Sequence, residues 1–451
     1  MAITRRQFVS TLGALAAAMG VGQADLAKIT EAFGHSADFN GGLPNSWINK
    51  PKVIWVHGAE CTGCSTSLLS LFEDARGLAI EGTGYSTLAA LDLAVGGSGL
   101  DTRVTKTDWD PTGHPFGHRT VVNSAADTGL DFDTKANSND GAYIVNIADV
   151  LIDFIDLQYH ETVMGMGGDL AYQWLKDNMG TGVPASGSAT PFVLVVEGAV
   201  QDKQLTGAWN VSGTVPWCAI GKNDASTEEH SFDDVVAKLA QQTNCKAVIA
   251  YGACASYGGY PGCVSPAAEF NGMSQTGATG VKDFLAVSPR TGADKVINVP
   301  GCPSNPWWLV LTVVAWMVDF ANTGEPLGVL TAAKAPNPAA LDKGGRLKAV
   351  FPGFIHGPSC PRYQDFLNNN FATAPGQAGC LQLIGCKGPS AKGLCNIHGW
   401  NSQQPRNDSA WEGGLNTVSG NKGSACTMAG APCMGCTEKG YPDAFVPFVA
   451  R

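Results

Sequence analysis

The sequence lacks an apolar run long enough to span a bilayer, and it is poor in basic residues. A membrane-spanning helix needs about 20 predominantly apolar residues, whereas the runs at residues 12–21 and 307–321 are shorter, and the second contains Asp319. We therefore predict a buried helix at residues 307–322. The 451 residues include 29 Lys and Arg against 39 Asp and Glu, a net charge of −10. Because phosphate binding needs a basic surface, this balance argues against a nucleic-acid partner.

The first 24 residues have the features of an export signal. Arg5 and Arg6 form a twin-arginine pair, Phe8 follows, and an Ala- and Gly-rich apolar stretch comes next. We predict export to the periplasm by the twin-arginine route, which carries folded proteins and so permits cofactor insertion in the cytoplasm. The alternative is an amphipathic N-terminal helix. Residues 445–451 contain no hydrophobic anchor, so we expect any membrane attachment to be peripheral and through a partner.

Short apolar segments alternate with helical patterns in the first three quarters of the chain. The predicted strands are residues 52–57, 192–196, 247–251 and 295–299. The predicted helices are residues 65–73, 148–162, 170–178, 232–243 and 307–322. Continuous apolar strands separated by helices are typical of a parallel sheet covered on both faces. We predict an α/β domain at residues 45–335, with a flavodoxin-like, doubly wound parallel sheet.

Two regions depart from this alternation. Residues 74–146 are rich in Gly, Asp, Thr and Asn and have weak periodicity, so we predict a loop-rich insertion. After Pro336 the cysteines become dense and regular periodicity disappears. Such a segment buries little apolar surface and needs cross-links to hold it. We therefore predict that residues 340–451 form a loop-rich domain held by metal clusters.

Four cysteines follow predicted strands. Cys61 and Cys64 come directly after residues 52–57, and Cys254 and Cys302 follow two later strands. The carboxyl ends of strands in a doubly wound sheet are where ligands bind. Four thiolates meeting there suit a cubane iron–sulfur cluster or a zinc ion. The alternative is a set of buried free cysteines that includes one redox-active C-x-x-C pair.

The C-terminal region offers two more sets of four potential ligands. The sets are His356, Cys360, Cys380 and Cys386, and Cys395, Cys426, Cys433 and Cys436. Spacing alone also permits zinc at both. Three such sites in one acidic, exported chain favour a series of electron carriers over three zinc ions. Of the other cysteines, Cys218 and Cys245 are predicted core residues, and Cys263 could lie near the first set.

At seven places the sequence resembles the small subunit of nickel–iron hydrogenases. The motifs are ECTGCS (60–65), VVEGAV (195–200), YGACASYGG (251–259), GCPSNPWW (301–308), IHGPSCPR (355–362), CLQLIGCKGP (380–389) and APCMGC (431–436). The resemblance implies the iron–sulfur subunit of a periplasmic uptake hydrogenase, paired with a large subunit that holds the nickel–iron centre. Electrons from hydrogen would pass through three clusters to an external acceptor, either a cytochrome or a membrane quinone-reducing subunit.

The resemblance also implies which cluster each set binds. The set with Cys61, Cys64, Cys254 and Cys302 would hold a proximal 4Fe–4S cluster, nearest the large subunit. The set with His356, Cys360, Cys380 and Cys386 would hold a distal 4Fe–4S cluster, and Cys395, Cys433 and Cys436 a medial one. Glu60, beside the first ligand, is a candidate proton relay or a contact to the large subunit. The alternative for Glu60 is a buried, paired structural carboxylate.

The sequence departs from the family pattern at four places. Cys426 stands where many members have Pro and a medial cluster that lacks one iron, so we predict a medial 4Fe–4S cluster, with 3Fe–4S as the alternative. Gly63 and Gly259 stand where oxygen-tolerant relatives carry two extra cysteines, so we predict an ordinary proximal cluster. Three residues, where the family usually has two, separate His356 from Cys360. The insertion at residues 74–146 is not part of the usual pattern.

Two other functions fit parts of the sequence. The cluster-bearing subunit of a respiratory complex with a related α/β domain would resemble only the first half of the chain. An exported binding protein stabilised by zinc or disulfides would account for the cysteines without electron transfer. Metal content distinguishes these, because three 4Fe–4S clusters require about twelve iron atoms per chain.

Overall fold

The computed structural model describes the chain in segments separated by gaps. The described segments are residues 52–69, 72–74, 144–146, 155–178, 192–202, 216–222, 229–262, 278–306, 308–310, 312–313, 316, 341–348, 350–398, 400 and 425–442. The predicted export signal and Cys263 lie outside them, as does the predicted insertion apart from its ends. The chain divides into two compact units, Met1–Asn49 with Phe72–Asp153 and Lys50–Leu71 with Phe154–Arg451.

A parallel sheet of five strands organises the second unit. The strands in the described residues are β1 (Lys52–His57), β2 (Phe72–Asp74), β3 (Ile144–Asn146), β4 (Asp156–His160), β5 (Phe192–Glu197), β6 (Val200–Gln201), β7 (Ala219–Lys222), β8 (Glu229–Ser231), β9 (Cys245–Tyr251), β10 (Ala278–Thr279) and β11 (Val296–Val299). The sheet has the order β11-β9-β5-β1-β4. Counted along the chain this is 2-1-3-4-5, the flavodoxin-like order, in which ligands bind where the order reverses, here between β1 and β5. The predicted fold class is confirmed.

The remaining strands form antiparallel pairs, and the helices are short. The pairs are β2 with β3, β6 with β10, and β7 with β8. The α-helices in the described residues are α1 (Gly63–Leu69), α2 (Gly168–Asn178), α3 (Phe232–Gln241), α4 (Gly252–Tyr257), α5 (Val281–Leu285), α6 (Tyr363–Leu367) and α7 (Cys395–His398). Two 3-10 turns cover Ala293–Lys295 and Leu381–Ile384.

The apolar core lies against the sheet. Along α3, Val235, Val236 and Leu239 are fully buried and belong to one cluster with Leu194 of β5 and Val248 of β9. Their spacing of three and four residues places them on one face of the helix. Burial of this face holds α3 on the strands whose carboxyl ends carry the site.

The predicted buried helix after Cys302 also agrees with the structure. The backbone is helical at residues 306, 308–310, 312, 313 and 316. Trp308 and Trp316 are buried, as expected for a helix packed inside a soluble core. Within the described residues, every helix is too short or too polar to cross a membrane.

The prediction of a helix at residues 148–162 is wrong. Residues 156–160 form β4, which pairs in parallel with β1. The polar residues Asp156 and Gln158 suggested an amphipathic helix, but Tyr159 and His160 are both buried against neighbouring strands. The first predicted helix is also misplaced at its ends, because α1 begins at Gly63 and residues 72–74 form β2.

Buried cations hold the loop-rich C-terminal region. Arg346, only 4% exposed, donates to Asp342 Oδ2 at 2.7 Å, to Glu438 Oε1 at 2.6 Å and to the Thr437 carbonyl at 2.7 Å. These bonds join residues 341–348 to the segment that follows Cys436. Because one guanidinium has five donors in a fixed plane, it can fix several loops at once.

Two further cations act in the same way. Arg362 donates to the carbonyls of Gly379, at 3.2 Å, and Thr427, at 3.3 Å. Lys387 Nζ donates to the Pro442 carbonyl at 2.9 Å. The bonds of Arg362 to Thr427 and of Lys387 to Pro442 link segments of the second set to segments of the third, and the bond of Arg362 to Gly379 joins two segments of the second set. The loops carrying the cysteines are thus held together without a large apolar core.

Candidate metal-cluster sites

The loops after β1 and β5 are paired beyond the end of the sheet. The Gly58 N–H donates to the Glu197 carbonyl at 2.7 Å, and Ala59 and Ala199 exchange two backbone hydrogen bonds of 3.0 and 2.9 Å. This pairing places the segment with Glu60 and Cys61 at the switch point of the sheet. The local sequence thereby delivers its first ligands where a doubly wound sheet binds its cofactor.

The first cysteine set comes together at this edge. Burial raises the pKa of Cys64, and Glu197, Cys254 and Cys302 raise it further. Burial likewise raises the pKa of Cys254 to about 12, with further contributions from Cys302 and Cys61. All four thiols therefore lie within electrostatic reach of one another. A bound metal reverses this cost, because a coordinating thiol is deprotonated.

The backbone approaches these sulfur atoms closely. Gly252 has φ +93°, and a Cβ there would lie 2.5 Å from Cys64 Sγ, so only glycine fits. A Cβ at Gly63 would lie 3.0 Å from Cys61 Sγ, and one at Gly259 would lie 2.8 Å from Cys254 Sγ. The Ser304 N–H donates to Cys64 Sγ at 3.4 Å. Gly63 and Gly259 thus directly adjoin the first set.

The second set lines a pocket. Its empty space, including the open mouth, is about 250 Å³, and its lining includes His356, Cys360, Cys380 and Cys386. His356 Nε2 is buried and has no hydrogen-bond partner among the described residues. Burial lowers the pKa of His356, which favours the neutral imidazole that binds metals. The extra residue between His356 and Cys360 does not separate them.

The third set includes Cys426. Burial raises the pKa of Cys395 to about 12, and Cys426 contributes. Burial also raises the pKa of Cys436 well above its ordinary value, Cys395, Cys433 and Cys426 raise it further, and a hydrogen bond with the backbone of Cys302 lowers it. The structure therefore brings four thiols together here and places them next to the first set.

The three sets follow one another in space. The third set contacts the first through the bond between Cys436 and the Cys302 backbone. It contacts the second through the Cys433 N–H, which donates to Cys386 Sγ at 3.2 Å. The third set thus lies between the other two. None of the thirteen cysteines among the described residues forms a disulfide. Free thiols, close backbone approach and an unpartnered imidazole nitrogen fit iron–sulfur clusters.

Comparison with known proteins gives matches both to the α/β region and to the cysteine-rich C-terminal region. A family model described as NADH ubiquinone oxidoreductase, 20 Kd subunit, matches residues 142–316, and one for the C-terminal region of the NiFe/NiFeSe hydrogenase small subunit matches residues 351–410. The periplasmic [NiFeSe] hydrogenase small subunit of Desulfomicrobium baculatum is 27% identical over 99% of each chain. The periplasmic [NiFe] hydrogenase small subunit 1 of Nitratidesulfovibrio vulgaris is 26% identical over 99% of this chain and 93% of its own.

The chain belongs to the hydrogenase small-subunit family. A crystal structure of the reduced, active Ni-Fe-Se hydrogenase from Desulfomicrobium baculatum matches it with TM-score 0.53 and 26% identity, over 89% of this chain and 100% of that one. The recombinant [NiFeSe] hydrogenase from Desulfovibrio vulgaris Hildenborough matches with TM-score 0.54 and 25% identity, over 89% and 98%. A respiratory-complex subunit alone would leave the match to the second family model unexplained.

Beside the first cysteine set, this hydrogenase small subunit has a buried acid–base cluster. His57 Nδ1 lies 3.1 Å from Glu60 Oε1, and the Thr62 hydroxyl donates to the same oxygen at 3.0 Å. The His57 N–H donates to Glu161 Oε1 at 3.1 Å. Burial lowers the pKa of His57, but Glu60, Glu197 and Glu161 together raise it above its ordinary value. Glu60 is thus paired with His57, and its side chain is 11% exposed.

One oxygen of Glu60 and one nitrogen of His57 make no hydrogen bond to other described residues. Glu60 Oε2 and His57 Nε2 are buried and lack a hydrogen-bond partner among the described residues. His57, Glu60 and Glu197 each bring a potential ligand atom within 4.8 Å of the others. Both oxygens of Glu197, however, already accept hydrogen bonds from protein donors. This arrangement favours a hydrogen-bond network over a further cation site.

Sequence reasoning did not find three members of the cluster, His57, His160 and Glu161. His57 ends β1 and Glu161 follows β4, so both lie at carboxyl ends of neighbouring strands. The wrongly predicted helix at residues 148–162 concealed this position. Burial, with a smaller contribution from His57, lowers the pKa of His160 to about 3, so of the two histidines His57 binds a proton more readily. A correct strand assignment would have identified both histidines as neighbours of the site.

Proposed function

We propose that this chain is the electron-transfer subunit of a periplasmic nickel–iron hydrogenase. Electrons from hydrogen oxidation in a large partner subunit would leave through three iron–sulfur clusters toward an external acceptor. One observation carries the proposal: three sets of four metal-ligating side chains lie in direct succession, joined by the contact of Cys436 with Cys302 and by the bond from Cys433 to Cys386.

The ligand sets support one cluster each. Cys61, Cys64, Cys254 and Cys302 would hold a proximal 4Fe–4S cluster. His356, Cys360, Cys380 and Cys386 would hold a distal 4Fe–4S cluster, and Cys395, Cys426, Cys433 and Cys436 a medial one. When bound, clusters of this type accept and release single electrons. The position of the third set between the other two supports its assignment as medial.

Cys426 supports a four-iron medial cluster over a three-iron one. Its thiol interacts with Cys395, Cys433 and Cys436, so a fourth ligand is in place for a fourth iron. An additional thiolate adds negative charge to the cluster site and favours its oxidised form. We therefore propose a medial potential lower than that of a three-thiolate site.

The protein's own groups orient the ligands and tune the sites. The Ser304 and Cys433 N–H groups donate to Cys64 Sγ and Cys386 Sγ, and such bonds stabilise added negative charge on sulfur. The His356 ring packs edge-on against Phe366, with centroids 4.6 Å apart, which fixes its orientation.

Glu60 is proposed as a proton relay or as a contact to the large subunit. Its Oε1 is held by Thr62 and His57, while Oε2 is buried and without a partner in the described residues. Cys61, the next residue, is exposed, so this edge of the site faces outward. A donor on the large subunit would satisfy the free oxygen, and a hydrogen bond there would give a proton a route to Glu60.

The external acceptor is proposed to bind at the distal set. Apolar side chains of the segments around this set are about half exposed: Phe354 at 55%, Leu367 at 53% and Leu383 at 46%. Exposed apolar groups close to a redox site are typical of a docking surface. The acceptor is a cytochrome or a membrane quinone-reducing subunit, and export by the twin-arginine route would bring the folded chain to either in the periplasm.

Co-purification of the chain with a large partner subunit from the cells that produce both tests this function. We expect a heterodimer in which the partner contains nickel and this chain contains about twelve iron atoms. The heterodimer should reduce an artificial acceptor with hydrogen as the electron source. A colourless chain, a chain that binds zinc in place of iron, or a chain without a nickel-containing partner would contradict the proposal.

A further inference from the structure

Glu197 ends β5 at the switch point, and four donors converge on its carboxylate. Trp55 Nε1 and the Ser65 hydroxyl donate to Oε2 at 3.2 and 2.6 Å. The backbone N–H groups of Cys64 and Ser65 donate to Oε1 at 3.1 and 3.0 Å. The residue is 1% exposed. Burial raises the pKa of Glu197, but the Ser65 hydrogen bonds oppose that shift. All four bonding groups are donors, and an ionised carboxylate, which has no proton to donate, accepts from all of them, so the hydrogen-bond geometry favours the charged form.

We propose that Glu197 is a positioning residue of the proximal cluster, which fixes the backbone of the ligand Cys64 and lowers the cluster's reduction potential by its charge. The inference rests on the proposed role of Cys64 as a ligand. This role is separate from cluster ligation by the cysteine sets and from the proton relay proposed for Glu60.

The positioning part follows from the hydrogen bonds. Cys64 and Ser65 lie at the start of α1, where backbone N–H groups have no partner within the helix. Glu197 supplies that partner from a central strand of the sheet, which is buried along its whole length. The Cys64 backbone is thus tied to a buried central strand, and its sulfur lies against the Gly252 backbone and accepts from the Ser304 N–H at 3.4 Å.

The electrostatic part follows from burial. A charge acts more strongly in a water-excluded site than in solvent, and a negative charge opposes the addition of an electron nearby. Glu197 is 1% exposed and its Oε1 accepts from the Cys64 N–H at 3.1 Å, so its charge lies beside the backbone of a cluster ligand and away from solvent. Glu161, a half-buried carboxylate, accepts a hydrogen bond from the His57 N–H at 3.1 Å, whereas the N–H groups of Cys64 and Ser65 donate to Glu197.

The decisive experiment measures the potential of the proximal cluster in the purified heterodimer. Glu197→Gln keeps the shape but removes the charge, and its amide cannot accept from all four donors. Trp55→Phe removes only the indole bond and leaves the charge in place. Glu161→Gln removes a half-buried carboxylate that is hydrogen-bonded to His57 and not to the Cys64 segment. Each variant is titrated with a reductant while the cluster is followed by electron paramagnetic resonance.

We expect Glu197→Gln to keep its iron and to move the proximal potential to a less negative value than in either control. A Glu197→Gln protein with a complete cluster and a shift no larger than that of Glu161→Gln overturns the inference. An unmodified heterodimer without a proximal cluster would contradict the proposed function itself, which separates the two failures.

A second variant tests the inference if Glu197→Gln fails to assemble its proximal cluster. Ser65→Ala removes the donor at 2.6 Å and keeps the carboxylate, so the charge at the cluster is less compensated. We expect the proximal potential of Ser65→Ala to become more negative. An unchanged potential in this variant also overturns the inference.

Discussion

Replacing Cys426 by alanine tests whether the medial set binds four irons or three. In the structure, the Cys426 thiol interacts with Cys395, Cys433 and Cys436. Without it, three thiolates remain, which is the ligand number of a three-iron medial cluster. We expect Cys426→Ala to lose about one iron atom of about twelve in the clusters, since each cubane corner needs its own protein ligand.

The assay combines iron analysis with electron paramagnetic resonance of the oxidised protein. The unmodified protein should show no three-iron signal, and Cys426→Ala should show one. The medial potential should also rise, because one negatively charged ligand is gone. Cys218→Ala is the control: the Cys218 thiol donates to the His57 carbonyl at 3.5 Å and belongs to none of the three sets. Its iron content should equal that of the unmodified protein.

Two results would refute the reasoning about Cys426. A three-iron signal in the unmodified oxidised protein would mean that the fourth thiol does not bind iron. Equal iron content in Cys426→Ala and the unmodified protein would mean that another group serves as the ligand.

Four further predictions follow from the structure. Cys61→Ala should lose the proximal cluster, about four iron atoms, together with hydrogen-driven acceptor reduction; full activity would exclude its ligand role. Glu60→Gln should slow hydrogen turnover while the clusters remain reducible by dithionite, and an unchanged turnover rate would exclude a relay. Arg346→Met should lower the free energy of unfolding by about 3–5 kcal/mol in urea titrations, because it removes the cation 2.7 Å from the buried Asp342 carboxylate and leaves only Lys392 Nζ, at 3.9 Å. Burial alone would raise the pKa of Asp342, but Arg346 lowers it below its ordinary 3.8. This contribution to stability is therefore present above pH 3.8 and lost as the pH falls through the lowered pKa, so the unmodified protein and Arg346→Met should converge in stability only in acid.

The parallel sheet and the ligand sets could be predicted from local sequence. A strand such as residues 192–196 is apolar at every position, and only a sheet covered on both faces accommodates that pattern. Cysteines directly after such strands must lie at one edge, so the first set needed no long-range information. The grouping of Cys426 with Cys395, Cys433 and Cys436 likewise followed from the cysteine count, once the motif around Cys433 and Cys436 had been identified.

The acid–base cluster could not be predicted in the same way. It depends on β4, whose pairing with β1 is a tertiary contact that the local pattern of Asp156 and Gln158 conceals. The role of Glu197 depends on donors from residues 55, 64 and 65, which are more than 130 positions away in the sequence. Local propensity carries no information about such contacts, so only the assembled sheet shows them.

In the C-terminal region, we expect folding to be coupled to cofactor binding. One of its apolar clusters consists of Ile355, Ala391 and Cys433, with Cys386 and Cys395 packed against it, so ligand thiols make up much of that small core. Bonds to metal would add to the stability that the buried cations give this region, since the ligands are arranged only in the folded state. We therefore expect this region to order when its clusters are inserted. Insertion before export would then give the twin-arginine route the folded chain that it requires, and would keep the thiols from forming disulfides in the periplasm.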